Sequence, residues 1–65
     1  MLYKYIDKIN PDLEYIHEEI YNSLMQNKQI EYCLWNSEDN ILHCLFLGEL
    51  STEDKEILDN IIRNI

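Results

Sequence analysis

The chain has little of several things that functional sites commonly need. Among its 65 residues there is one glycine, and five bases stand against thirteen acids. A single glycine excludes the glycine-rich loops that bind phosphate groups. No segment approaches the roughly 20 apolar residues that a membrane-spanning helix needs. Residues 1–9 lack the apolar run of a signal peptide, so we expect no secretion.

The shortage of bases leaves a net charge of −8, which is large for this length. Such a surface repels the phosphate backbone, so direct nucleic-acid binding is not expected. Binding to an anionic membrane is disfavoured for the same reason. The charge fits simple solubility or attraction of a basic partner.

Only two cysteines are present, Cys33 and Cys44, and without a secretory signal they predict free thiols in a reducing compartment, the cytoplasm. Together with His17 and His43 they lack CxxC or HxxxH spacing. His43 and Cys44 are neighbours, so on a strand they point to opposite faces. No metal, no cofactor and no Cys–His nucleophile is therefore expected. A strained cross-strand disulfide is the alternative to buried thiols.

The first half of the chain predicts a strand and a helix. Residues 2–9 have the mixed pattern of an edge strand. A helix is predicted over about residues 11–26, with Asn10 as its N-cap and Pro11 as its first residue. Its apolar stripe is Leu13, Ile16, Ile20 and Leu24. A polar linker at residues 26–29 follows.

The centre of the chain predicts a hairpin whose second strand is buried. Residues 41–48 are apolar at nearly every position, which indicates a strand covered on both faces. Residues 30–36 form the other strand, and residues 37–40 form the loop. This loop length pairs Trp35 with Leu42, Leu34 with His43, and Cys33 with Cys44.

A second helix closes the chain. Ser51 is its predicted N-cap, with Asp54 at the capping-box position. An apolar stripe at helical spacing follows: Ile57, Leu58, Ile61, Ile62 and Ile65. Asp59 and Arg63, four residues apart, are predicted to pair weakly.

These elements predict a single α+β domain over residues 1–65, with two layers in the order β-α-β-β-α. The three-stranded sheet takes the order 2-3-1, with the most apolar strand in the centre and both helices on one face. The alternative places one helix on each face.

A two-layer domain leaves one face of its sheet without cover from its own chain. We expect Tyr32, Leu34, Leu45 and Leu47 to meet the helices, which would leave an exposed patch on the other face: Trp35, Leu42, Phe46, Cys33 and Cys44. A patch of this kind marks a protein interface. The sequence thus predicts a non-enzymatic interaction module that binds a protein partner, first of all another copy of itself, with no small-molecule substrate. The alternative is that the last helix covers the patch.

A second hypothesis rests on the acids. Exposed carboxylates three to five residues apart on a helix lie about 5–7 Å from one another, which is close to the spacing of successive phosphates. The acidic residues that would imitate DNA and block a host nucleic-acid-binding protein are Glu14, Glu18, Glu53, Asp54 and Glu56. A solvated helix face with acids near the helix N-terminus is the ordinary explanation.

The segment Leu-Ser-Thr-Glu-Asp-Lys-Glu-Ile-Leu-Asp-Asn-Ile-Ile at residues 50–62 resembles the terminal helix of small phage-encoded proteins associated with virion structural genes. In those proteins a strand, a helix and a hairpin precede a similar C-terminal helix. The resemblance implies a non-catalytic viral accessory or assembly protein, often oligomeric, in the host-cell cytoplasm or the virion. It carries over no catalytic residues.

Overall fold

The computed structural model describes residues 1–24 and 30–65, so the predicted linker at residues 26–29 lies outside the described residues. The elements follow in the order β1 (Leu2–Tyr5), α1 (Leu13–Leu24), β2 (Ile30–Asn36), β3 (Ile41–Phe46) and α2 (Thr52–Arg63). The strands form one three-stranded antiparallel sheet. The chain is therefore an α+β protein, as predicted.

The sheet has the predicted order, with β3 between β1 and β2. In the hairpin, Trp35 lies opposite Leu42 and Cys33 lies opposite Cys44, so the predicted register is confirmed. On the other side of β3, Tyr5 lies opposite Leu42. The central position satisfies both backbone edges of the most apolar strand, which is why this segment takes it.

The hairpin loop at residues 37–40 is held by side chains that favour turns. The Asn40 N–H donates to the Asn36 carbonyl over 2.9 Å, and Asn40 has a left-handed φ of 56°. The Glu38 N–H donates to Asn36 Oδ1 and the Ile41 N–H to Asp39 Oδ1. Asn and Asp tolerate the left-handed region and accept bonds from nearby backbone, so this loop fixes the register.

One position in the hairpin departs from the predicted alternation. The register shifts between Ile30 and Tyr32, and Ile30 lies opposite Phe46. Ile30 therefore packs against the core, whereas strict alternation along a strand would place it on the same face as Tyr32. Glu31 is the extra residue of this bulge and is exposed.

The start of α1 also differs from the prediction. Asn10 has a left-handed φ of 47° and does not cap the helix. Asp12 does so instead, because its Oδ1 accepts from the Tyr15 N–H over 3.1 Å, and its carbonyl accepts from Ile16. An N-cap residue normally has extended backbone, and Asn10 does not, so the cap lies two residues later.

The start of α2 is as predicted. Ser51 is the N-cap, and its Oγ accepts from the Asp54 N–H over 3.1 Å. Glu53 and Asp54 lie in the first turn and Arg63 in the last, which suits the helix dipole at both ends.

One hydrophobic cluster contains residues of both helices and of the central strand. Its buried residues are Ile16, Ile20 and Leu24 of α1, Leu58 and Ile62 of α2, Leu42, Cys44 and Phe46 of β3, and Leu50 before α2. Since alternate residues of a strand share a face, the three β3 residues define what we call the inner sheet face. The opposite side is the outer sheet face.

Candidate functional site

The outer sheet face is apolar and exposed. The register places Leu34 opposite His43 and Tyr32 opposite Leu45, and Lys4 and Leu2 pair with the same two β3 residues from the other side. With Leu47, which follows β3, the outer sheet face consists of Leu2, Lys4, Tyr32, Leu34, His43, Leu45 and Leu47.

Several of these side chains are about half exposed. Leu47 is 61% exposed, Leu34 is 55% exposed and Tyr32 is 44% exposed. His43 and Leu45, on the central strand, are partly shielded by their neighbours. The largest exposed apolar patch on a small protein often marks a contact surface, which makes this face the candidate site.

The predicted assignment of the two faces was wrong. Leu42, Cys44 and Phe46 are buried, and Cys33 and Trp35 are half-buried against the same cluster. Of the five residues predicted as the exposed interface, three are core residues of their own chain and two pack against that core. The aliphatic face that was expected to meet the helices is the exposed one.

Side-chain size and polar partners explain which face is buried. Phe46 and Trp35 bury more apolar area than leucines do, so covering their face gains more free energy. The Trp35 indole Nε1 also donates to the Lys8 carbonyl over 2.7 Å. The Phe46 ring meets the Tyr3 ring edge-on, with 5.8 Å between centroids. Among residues 1–24 and 30–65, no comparable hydrogen bond or ring contact is found for the side chains of the outer sheet face.

The two tyrosines of β1 connect the inner sheet face to α2 and to the segment that precedes it. Tyr5 Oη donates to Asp59 Oδ1 over 2.7 Å, and Tyr3 Oη accepts from the Leu50 N–H over 2.7 Å. The Lys55 ammonium lies 5.6 Å and 5.5 Å from the centroids of the Tyr3 and Tyr5 rings. Sequence reasoning missed this network, although the Tyr-Lys-Tyr alternation in β1 was a signal for it.

The network sets the protonation of its members. Lys55 Nζ lies 2.6 Å from Asp59 Oδ1. Burial acts to raise the pKa of Asp59, but the hydrogen bonds from Lys55 and Tyr5 and the nearby cations lower it by more, so the net shift is downward. Burial, and then the bond to Asp59, raise the pKa of Tyr5. Asp59 is thus held ionised and Tyr5 neutral.

Asp59 forms its ion pair with Lys55 and not, as predicted, with Arg63. Arg63 Nη1 donates to Asn60 Oδ1 over 3.2 Å instead. A residue can pair with the fourth residue on either side of it along a helix, and Lys55 is the one held in place by the tyrosine rings.

An open cleft of about 550 Å³ lies between β1 and the end of α2. Basic side chains line it, namely Lys4, Lys8 and Arg63, together with Asp59. Lys8 Nζ donates to the Ile62 carbonyl over 3.1 Å. Cations at this place offset the negative end of the helix dipole and bind its free carbonyls. Helix capping therefore explains the position of Lys8.

The acidic residues form separate groups on the two helices. Glu14 and Glu18 of α1 and Glu53 and Glu56 of α2 are exposed, and Asp54 is half-exposed. The groove between the helices brings the α1 residue Glu19 against Asn60 and Asn64 near the end of α2. From Glu53 to Asn60 a helix rises about 10 Å. The acids at the start of α2 therefore lie about that far along the helix from the α2 residues that line the groove with Glu19.

The two cysteines are free thiols, as predicted, with Cys44 buried and Cys33 half-buried. Their Sγ atoms lie 3.9 Å apart across the hairpin. Within residues 1–24 and 30–65 no group of three or more His, Cys, Asp or Glu side chains is arranged to hold a metal ion. No helix in the same ranges is long and apolar enough to cross a membrane.

Comparison of the chain with family models, with curated proteins and with solved structures finds no match. The fold and the site therefore define only a class. It is a small α+β domain with one sheet face buried and an exposed apolar face on the other side.

Proposed function

We propose that this protein is a non-enzymatic protein–protein interaction module that self-associates through the outer sheet face. The observation that supports this most directly is the exposure of Leu34, Leu47 and Tyr32 on one side of the sheet. Burying a leucine side chain fully is worth about 1.5–3 kcal/mol, so several together supply enough free energy for a reversible contact.

The proposal includes a two-layer arrangement, with both helices on the inner sheet face. Buried residues of α1 and of α2 belong to one cluster with Leu42, Cys44 and Phe46, which supports this arrangement. A helix lying on the outer sheet face would have covered Leu34 and Tyr32.

Charge favours a second copy as the partner. The outer sheet face carries the cation Lys4 and no carboxylate, whereas the helices and the hairpin loop carry acids. Two copies with a net charge of −8 each repel through most of their surfaces. They repel least where two outer sheet faces meet, and a two-fold axis makes one apolar patch complementary to itself.

The size of the sheet bounds the strength of that contact. Three strands about 4.8 Å apart and about six residues long define a patch of roughly 15 Å by 20 Å. Two stacked sheets of this size bury roughly 600 Å² in total, about half of the roughly 1,200 Å² at which stable interfaces begin. We therefore expect reversible, concentration-dependent dimers.

We further propose that the module is a viral accessory or assembly protein of phage type, acting in the host-cell cytoplasm or the virion. The support is the resemblance of residues 50–62 to the terminal helix of such proteins. A self-associating module without catalytic groups is compatible with that role.

The test is sedimentation equilibrium of the reduced protein over a wide concentration range. We expect wild-type dimers, and a Leu34→Gln/Leu47→Gln double variant whose dimer dissociation constant is at least about tenfold larger, because apolar area is lost from both copies. Tyr21→Gln is the matched control, since Tyr21 is 60% exposed on α1, away from the outer sheet face. Its dimer constant should equal that of wild type.

A wild-type chain that stays monomeric at high concentration would contradict the proposal, as would a control variant that weakens association equally. The salt dependence of binding distinguishes self-association from the acidic alternative. Added salt screens the repulsion between two negative copies, so self-association should strengthen. Binding of Glu14, Glu18, Glu53, Asp54 and Glu56 to a basic nucleic-acid-binding protein would weaken instead.

A further inference from the structure

The two thiols occupy a cross-strand site with suitable geometry for a covalent bond. Cys33 and Cys44 lie directly opposite each other in the register of β2 and β3. Their Sγ atoms are 3.9 Å apart, both on the inner sheet face. A modest rotation about the side-chain bonds is enough to bring the two sulfurs together.

The type of strand pair follows from the backbone bonds of β3. Met1 and Phe46 exchange two hydrogen bonds, of 2.7 Å and 2.9 Å. Residues two apart on a strand direct their backbone groups to the same side, so Cys44, like Phe46, directs its N–H and C=O towards β1. Cys33 and Cys44 are therefore a non-hydrogen-bonded pair, whose Cα atoms lie about 4.5 Å apart, within the range of about 4.4–6.8 Å that disulfides require.

The two thiols differ in access and acidity. Cys33 is half-buried, whereas Cys44 is buried. The hydrogen bond between the sulfurs lowers the pKa of Cys33 against the opposing effect of burial. The same bond, together with burial, raises the pKa of Cys44. Cys33 thus presents the more reactive thiolate to solvent, with Cys44 behind it.

We propose that Cys33 and Cys44 are a redox-responsive site that closes reversibly into an intramolecular disulfide, with a low-molecular-weight disulfide such as glutathione disulfide as the oxidant. The Cys33 thiolate attacks one sulfur of glutathione disulfide, breaks its S–S bond and releases one glutathione thiolate. Cys44 then loses its proton to water and attacks the Cys33 sulfur, which releases the second glutathione. Two protein thiols are oxidised and one glutathione disulfide is reduced to two thiols.

Closing the bond staples the two strands that carry most of the outer sheet face. Tyr32 and Leu34 flank Cys33 in β2, and His43 and Leu45 flank Cys44 in β3. The staple restricts the unfolded chain and should raise the melting temperature. The site does not depend on self-association, because it lies on the opposite face and within a single chain.

The test incubates the reduced wild-type protein with glutathione disulfide, quenches with acid and measures the intact mass. We expect a monomer that has lost two hydrogens, no longer reacts with iodoacetamide, melts at higher temperature and is restored by dithiothreitol. The folded chain should oxidise about tenfold faster than the same chain in denaturant, because the fold raises the effective concentration of one thiol at the other. Equal rates, or disulfide-linked dimers, would overturn the proposal.

Single-cysteine variants assign the two roles. Cys44→Ala should stop at a stable glutathione adduct on Cys33, and Cys33→Ala should leave Cys44 reduced while the chain is folded. An adduct on Cys44 as fast as that on Cys33 would overturn the assignment. Circular dichroism identifies a variant that fails to fold. In that case alkylation of wild type, with Cys33 modified before Cys44, decides the same question.

Discussion

The two faces of the sheet are built from the same strands, but one is buried and the other is exposed. The inner sheet face buries Leu42, Cys44 and Phe46 completely, whereas the outer sheet face leaves Leu34 more than half exposed. Both faces alternate along the strands with period two, and both are mainly apolar. Apolar character therefore cannot be what distinguishes them.

What distinguishes the faces is the size of their side chains and the partners of their polar ends. The inner sheet face holds the large rings of Trp35 and Phe46, and Tyr5 reaches Asp59. Leucines dominate the outer sheet face. In a chain of 65 residues, the buried face is the one whose burial gains the most free energy. Among the described residues, no buried side-chain nitrogen or oxygen lacks a hydrogen-bond partner.

The largest expected effect on stability comes from removing a large side chain from the inner sheet face. Phe46→Ala removes a buried ring and should cost about 3–5 kcal/mol of unfolding free energy. For this length the total is only roughly 3–10 kcal/mol, so about a third or more of the stability is lost. Urea unfolding followed by circular dichroism measures it. Leu47→Ala is the control, because Leu47 is 61% exposed. Similar losses in the two variants would break the comparison.

A smaller effect is expected where the inner sheet face is tied to α2. The pKa of Asp59 is lowered in the folded state from its ordinary value of 3.8. Its contribution is therefore complete above that pH and is lost as pH falls through the lower folded value. Asp59→Asn should cost at most about 1 kcal/mol at neutral pH, since the pair is partly solvated.

The measurement for Asp59 is urea unfolding at neutral pH and at a series of pH values below 4. The difference in unfolding free energy between wild type and Asp59→Asn should shrink as the carboxylate is protonated. Glu53→Gln serves as the control, because Glu53 is exposed. A difference that stays constant down to the lowest pH would show that the charge of Asp59 is not what matters.

The smallest effect is expected on the outer sheet face. Leu34→Gln should change the unfolding free energy of the dilute monomer by no more than about 0.5 kcal/mol, because Leu34 is already solvated. Thermal and urea unfolding at low protein concentration measure this. A loss above about 2 kcal/mol would mean that the residue is covered in solution, and the contrast between the faces would disappear.

Much of the fold could be predicted because local chemistry specifies it. The turn-forming side chains of residues 36–40 fix the hairpin register, which pairs Cys33 with Cys44 as expected. Ser51 caps α2 as its position before an amphipathic stripe indicates. Two local details were missed: the bulge between Ile30 and Tyr32, and the cap at Asp12. Each involves a choice between neighbouring positions that differ little in local propensity.

By itself, the sequence determined the elements, the strand order and the pairing, because turns, caps and periodicity act over a few residues. Only the tertiary structure decided which side of the sheet is buried. Period two defines two faces but does not rank them. Their ranking depends on contacts across the chain, such as Trp35 to Lys8 and Tyr5 to Asp59, which join residues 27 and 54 positions apart. The candidate surface is the side that those distant contacts leave uncovered.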